Sequence, residues 1–196
     1  MSNITPTLAH YYCGENPADY LISEKFDGFR AIWKDGELWT KTGNPINAPT
    51  WFTASLPPVA LDGELWAGRG NYGRVMSAVK RGPLSPHWEN LRLMVFDSDE
   101  HPELKTPERI AFVEGLNLGE FAEAVEHFRE PSRDGLANRL ESIQSAGGEG
   151  LCLRDTNSNY EGGRDVALMK LKKLDQFSLL ENDLAKWGAQ LADAFG

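Results

Sequence analysis

Asp35-Gly36, set between the apolar-rich runs Phe29 to Trp33 and Glu37 to Thr40, constrains the fold more than any other feature of the chain. Both residues tolerate the positive φ of a tight two-residue turn, so the dipeptide folds its flanks into a β-hairpin. Ala60 to Trp66, Leu91 to Phe96, Gly150 to Leu153 and Ala167 to Lys172 read as further strands. Helix signals alternate with them. Thr106-Pro107-Glu108 puts a proline and an acid into a first turn ahead of Ile110, Ala111 and Val113, and a second helix runs from about Ser132 to Ala146 and stops at Gly147-Gly148. Glu120 to Phe128 fits either helix or strand. In Ser178 to Phe195, Leu180, Leu184, Trp187, Leu191 and Phe195 fall on one helical face, which predicts a terminal helix docked on its parent domain. The fold class is therefore α+β.

The 196 residues suit one domain with a small appendage, and no repeat or low-complexity tract interrupts them. No apolar run approaches the roughly 20 residues of a membrane span, and Met1-Ser2-Asn3 opens no secretory pattern, so a soluble, cytoplasmic monomer is expected. Cys13 and Cys152 are far apart, and His10, His87, His101 and His127 are scattered, so neither residue type suggests a metal site. A net charge of −9 excludes a chain that coats nucleic acid by bulk electrostatics. Basic residues nonetheless cluster from Arg69 to Arg81 and from Arg154 to Lys173, while acids crowd Glu100 to Glu141, a layout that permits one basic groove on an acidic body.

Lys25-Phe26-Asp27-Gly28-Phe29-Arg30 brings a lysine, a carboxylate, a glycine and an arginine together just before the hairpin. A lysine acts as a nucleophile only when its amine is partly deprotonated, which burial or a nearby cation favours. A mostly buried loop between strands would supply that setting. Alone, the hexapeptide reads more readily as a surface lysine beside a turn. Further along the chain, Asp62-Gly63-Glu64 ends a strand, Phe96-Asp97 ends another, Gly148-Glu149-Gly150 precedes a third, and Lys170 and Lys172 lie two apart on a fourth, able to grip one phosphate from the same face. Together these make a polyphosphate site with acids for a metal.

In this order, the segments resemble the motif series of the covalent nucleotidyltransferases: DNA ligases, RNA ligases and mRNA capping enzymes. Ser23-Glu24-Lys25 and Leu61-Asp62-Gly63-Glu64-Leu65-Trp66 are most similar to the small bacterial and viral ATP-dependent DNA ligases, over about Leu21 to Lys173. The resemblance implies an ATP-grasp-like adenylation domain of antiparallel sheets flanked by helices over residues 1–175, followed by a C-terminal helix over 176–196. It implies that Lys25 attacks the α-phosphorus of ATP, with Glu24, Arg30, Glu64, Phe96, Lys170 and Lys172 binding the nucleotide. Arg30 and Glu64 would hold the ribose, Phe96 would stack on adenine, and Lys170 and Lys172 would neutralise the α-phosphate. Glu149 and Asp27 would serve Mg²⁺, with Mn²⁺ as a substitute. AMP would then pass to the 5′-phosphate of nicked duplex DNA, with Lys41, Arg69 and Arg74 as DNA contacts.

Ser23 stands where many ligases carry a glutamate that reads the adenine amino group, and Lys41 falls where an arginine is usual. The family's OB-fold, a nucleic-acid-binding barrel, has no counterpart in Leu174 to Gly196. A fragment, a protein that lost the barrel, and a separate OB-fold or clamp partner all remain open. Gly68 to Val75 matches the glycine-rich loop of kinases, but the other kinase motifs do not occur, and the stretch reads as a flexible basic loop near DNA. Alternatives to a DNA ligase are an RNA ligase or capping-type nucleotidyltransferase, and a non-catalytic nucleotide- or DNA-binding module.

Overall fold

In a computed structural model that describes residues 4–172, the chain forms ten strands and four α-helices. In order these are β1 (Thr7–Tyr11), β2 (Tyr20–Lys25), β3 (Phe29–Lys34), β4 (Glu37–Thr40), β5 (Pro45–Ile46), α1 (Thr50–Thr53), β6 (Leu61–Trp66), α2 (Tyr72–Arg81), β7 (Arg92–Asp97), α3 (Thr106–Glu114), β8 (Ala122–Ala124), α4 (Arg133–Ser145), β9 (Gly150–Asp155) and β10 (Gly163–Leu171). The terminal helix expected over 176–196, and the domain boundary at 175, lie outside the described residues. Among the described residues, no helix is long and apolar enough to cross a membrane.

The strands form two sheets, one in the order β1-β10-β9-β2 and the other β5-β4-β3-β6-β7-β8. Most pairs are antiparallel, as expected, but β1 lies parallel to β10 and β8 parallel to β7. The second case has a simple cause: α3 lies between β7 and β8, and a helical crossover returns the chain to the same end of the sheet. This also settles Glu120 to Phe128, which provides a three-residue edge strand and then an isolated bridge from Phe128 to Ile22.

The Asp35-Gly36 turn has positive φ at both residues, 54° and 78°, and β3 pairs with β4 across it in the expected hairpin. The helix starting at Ser132 is also as expected. The Ser132 hydroxyl accepts the Gly135 N–H at 3.0 Å, and Gly147 turns the chain away with φ 83°. Two expectations are corrected. Gly68 to Val75 is not wholly a loop, because a turn at Gly68 to Gly70 leads directly into α2, which buries Val75 and Ala78 three positions apart. Lys25 is not in a loop between strands; it is the last residue of β2, in register with Gly150 of β9.

Each sheet has its own core. Leu136 and Leu140 of α4 pack with Ile22, Leu151 and Leu153 of the four-stranded sheet. The larger core, containing Trp88, Phe52 and Leu93, fills the other half. All eight of these side chains are fully buried, and truncating any of the leucines to alanine costs about 2–5 kcal/mol.

The chain passes from one sheet to the other in three residues, Phe26 to Gly28, between β2 and β3. Gly28 leaves no room for a side chain: a Cβ there would collide with the carbonyl oxygen of Leu65 and stand 2.7 Å from Cγ of Glu64. Gly28→Ala is therefore expected to destabilise the protein by about 1–3 kcal/mol in urea unfolding. A variant as stable as the parent would mean that the crossing can relax.

Candidate active site

Lys25 ends its strand at this crossing, so its side chain leaves the sheet at the seam between the two halves. Nζ donates to Glu149 Oε2 at 2.5 Å. The other carboxylate oxygen of Glu149 pairs with Lys172. Burial alone would push the Glu149 carboxyl up, but hydrogen bonds from Lys172 and Lys25 hold it below the usual range. Burial likewise works to lower Lys25, but the bond to Glu149 and nearby acids outweigh it, and the amine sits above its ordinary value. The sequence argument calls for an amine that is partly neutral. The structure instead shows one favoured in its charged form, because the bond to Glu149 outweighs burial.

Glu64, on β6, faces the same amine. Burial pushes its carboxyl up to about 7, against the pull of Arg30 and Lys25. Since the ordinary value is 4.5, the native state binds an extra proton between the two. Stability from this group is complete below about 4.5 and lost as pH rises through about 7. Glu64→Gln should therefore gain stability relative to the parent across that window, by at most roughly 3 kcal/mol. Thermal unfolding at a series of pH values tests this, and a constant difference in Tm would refute it.

Arg30, on β3, is held by Asp62 on the neighbouring β6, with Nε to Oδ1 at 2.6 Å and Nη2 to Oδ2 at 2.5 Å. The Tyr160 hydroxyl donates to the same carboxylate at 2.8 Å. The arginine guanidinium also lies over the Phe96 ring, 4.7 Å from its centroid, and Arg154 lies 4.9 Å from the same centroid. Next along the chain, the buried Asp97 binds Arg109 Nε at 2.8 Å and Arg154 Nη1 at 3.0 Å.

Lys25, Arg30, Glu64, Phe96 and Arg154 help wall a cleft of two adjoining lobes, which share Ala9, Lys25, Arg30 and Glu64. The smaller, about 110 Å³, adds Ser23, Phe96, Cys152 and Arg154. The larger, about 410 Å³, adds Lys41, Tyr72 and Lys170. A flat aromatic group suits the first and an anion the second, with the Lys25 amine at their junction.

Of the residues singled out from sequence, Lys25, Arg30, Glu64 and Phe96 meet in the small lobe, and Lys41 and Lys170 in the large one. The pairing of Lys170 with Lys172 on one phosphate needs correction. Lys172 lies past the last strand residue and binds Glu149, while Lys170 Nζ sits 4.3 Å from the centroid of the Tyr11 ring. Glu24 lines the small lobe, but both of its oxygens bind Arg69. Asp27 is exposed and lines neither lobe; Arg74 is exposed on α2. Sequence reading assigned no role to Asp62, Tyr160, Asp97, Arg109 or Arg154. Asp62 and Asp97 did stand in the quoted motifs; Tyr160 and Arg109 left no signal.

No group of three or more acids, histidines or cysteines among the described residues could hold a metal by itself. Glu149 and Glu64 nevertheless both bring carboxylate oxygens to the neighbourhood of the Lys25 amine. That suits Mg²⁺, which takes one or two carboxylates and completes its shell with water and phosphate oxygens.

The chain is 35% identical to a Lig E DNA ligase whose structure is described as binding DNA with a minimal scaffold, with a TM-score of 0.80 over 86% of this chain and 68% of that one. A DNA ligase of Haemophilus influenzae is 30% identical over 168 residues, which are 84% of this chain and 62% of that protein. The present chain thus spans less than two thirds of that relative. Chlorella virus DNA ligase-adenylate has the same fold, with a TM-score of 0.71 and 21% identity over 86% of this chain and 68% of that one. No family model matches. The two mixed sheets with flanking helices are those of a nucleotidyltransferase domain, as the motif series implies.

Proposed function

The chain belongs to the DNA ligase family, and from that membership we infer that it is an ATP-dependent nick-sealing enzyme, or the catalytic adenylation domain of one, that carries AMP on Lys25. The observation that supports this most directly is the position of the Lys25 amine, at the junction of an aromatic lobe and a basic lobe and within reach of Glu149 and Glu64. With adenine in the small lobe and the phosphates in the large one, the α-phosphorus would lie beside Nζ.

Nζ attacks with its lone pair, a phosphorus–nitrogen bond forms, and the bond from the α-phosphorus to the bridging oxygen breaks to release pyrophosphate. To free that lone pair the charged amine first gives a proton to Glu149 Oε2, its hydrogen-bond acceptor at 2.5 Å; the second proton, lost from nitrogen as the phosphoramidate forms, leaves with pyrophosphate. Lys170 and Lys41 balance charge on the phosphates in the large lobe. Asp62 keeps Arg30 oriented toward the sugar and base. Mg²⁺, held by Glu149 and Glu64, would neutralise phosphate charge. The nucleotide then passes to the 5′-phosphate of a DNA nick, where the 3′-hydroxyl displaces AMP. Lys41 and Arg74, both exposed, are placed to meet the duplex.

The test is to incubate the protein with labelled ATP or GTP and Mg²⁺ and then denature it. Label retained from ATP is the expected result. Label from GTP alone would point to capping-type chemistry, and no label from either would exclude a lysyl-nucleotide.

A further inference from the structure

Arg69 joins the two halves of the molecule beside the nucleophile. It sits between Gly68 and Gly70, which have φ of 89° and 73°, in the turn that leaves β6. Its guanidinium takes both oxygens of Glu24, Nε to Oε1 at 2.9 Å and Nη2 to Oε2 at 2.8 Å. Nη1 donates to the carbonyl of Ala146 at 3.2 Å. Glu24 immediately precedes Lys25 on β2, and Ala146 ends α4, three residues before Glu149. One side chain from the six-stranded half therefore holds both the strand that carries the amine and the turn that carries its carboxylate partner.

Within that turn the other bonds tie it only to its own helix end. Gly147 and Gly148 contribute no side chains, and the local hydrogen bonds are Ala146 N–H to Ser142 O at 3.2 Å, Gly147 N–H to Gln144 O at 2.9 Å, Gly148 N–H to Ile143 O at 2.8 Å and the Gln144 amide to the Glu149 carbonyl at 3.3 Å. The Glu24 carboxylate packs onto the turn, and a Cβ at Gly148 would stand 2.9 Å from its Oε1. Only a planar guanidinium can make the two parallel bonds to Glu24 while a third N–H reaches a carbonyl; an ammonium cannot.

We propose, on the basis of the lysyl-nucleotide reading above, that Arg69 is a positioning residue for adenylation: by clasping Glu24 and the Ala146 carbonyl it fixes the Glu149 carboxylate on the Lys25 amine. The Arg69 side chain is 34% exposed, so the pair adds little to stability and a substitution leaves the fold intact.

The experiment measures the initial rate of lysyl-AMP formation in the full chain over a range of ATP concentrations with Mg²⁺, together with amide hydrogen exchange of residues 147–149 in the nucleotide-free protein. Arg69→Ala is expected to lower the maximal rate about 10- to 100-fold, the penalty of misplacing a reacting group, while half-saturation by ATP changes less than about twofold. Exchange at the turn should quicken at unchanged Tm, and Arg69→Lys should recover only part of the rate. A variant that adenylates at the parent rate with an unchanged turn, and loses only nick binding, would overturn the clasp and make Arg69 a DNA contact. An unlabelled parent protein would overturn the lysyl-nucleotide reading and the clasp with it, whereas a labelled parent and an equally fast Arg69→Ala overturn the clasp alone.

Discussion

Lys25→Ala should retain no label after incubation with labelled ATP and Mg²⁺, yet should still seal a nick whose 5′-phosphate already carries AMP. Removing the nucleophile removes the only atom that forms the covalent bond, so self-adenylation should fall by at least about 10³-fold. The last step has a different requirement, because AMP is already on the DNA and the attacking group is the 3′-hydroxyl. The cleft walls proposed to hold the nucleotide, Arg30 held by Asp62 and Phe96 beneath the guanidinium groups, do not depend on Nζ. Quantifying sealed product from pre-adenylated and ordinary nicks in parallel separates the two steps. Equal loss on both substrates would show that Lys25 has a role beyond carrying AMP.

The second large effect concerns stability. Asp97 is 1% exposed and is the shared anion for Arg109, 3% exposed, and Arg154, 5% exposed. Two cations buried on one carboxylate tolerate its loss poorly, since each then keeps its charge without the partner that offset desolvation. Asp97→Ala is expected to cost about 3–5 kcal/mol in chemical denaturation, with Tm falling by roughly 10 °C. Asp97→Asn keeps the shape and loses the charge, so it should recover only a small part of that. A loss under about 1 kcal/mol would mean that other acceptors, such as the Leu104 and Ser158 carbonyls that already bind Arg109, suffice. The same triad underlies the base lobe, because Arg154 reaches from Asp97 to the Phe96 ring.

Local signals in the sequence carried much of this architecture. Asp35-Gly36 specified its hairpin because the required dihedrals suit those two residues, and Ser132 and Gly147 marked the limits of α4 by capping alone. β1 and β2 were missed. Their short runs mix apolar and charged residues, and what holds them is pairing with β10 and β9, more than a hundred residues away, which no local period encodes. α2 was hidden because its glycine-rich lead resembles a loop, although Val75 and Ala78 already lay three apart.

The site divides along the same line. Lys25, Arg30, Glu64 and Phe96 could be assembled from ordered motifs before any coordinates. Which charges pair with which could not. Glu149 meets Lys25 across 124 positions, Tyr160 meets Asp62 across 98, and Arg69 meets Glu24 across 45. Sequence shows that such charges exist; only the fold shows which ones neutralise one another, and here it pairs Glu24 with Arg69, two residues expected separately as ligand contacts.

The parallel pairing of β1 with β10 has a consequence for how the protein matures. Leu8 and Ala9 wall the cleft from the first strand, Leu168 and Lys170 wall it from the last, and the two strands are neighbours. During synthesis the first of these leaves the ribosome long before its partner, and closing so long a loop is slow in any folding reaction. The two-lobed cleft is therefore incomplete in a partly made chain. Competence to load AMP would be acquired in the final stages of folding, and a protein that takes up the label has brought the two ends of its described structure together.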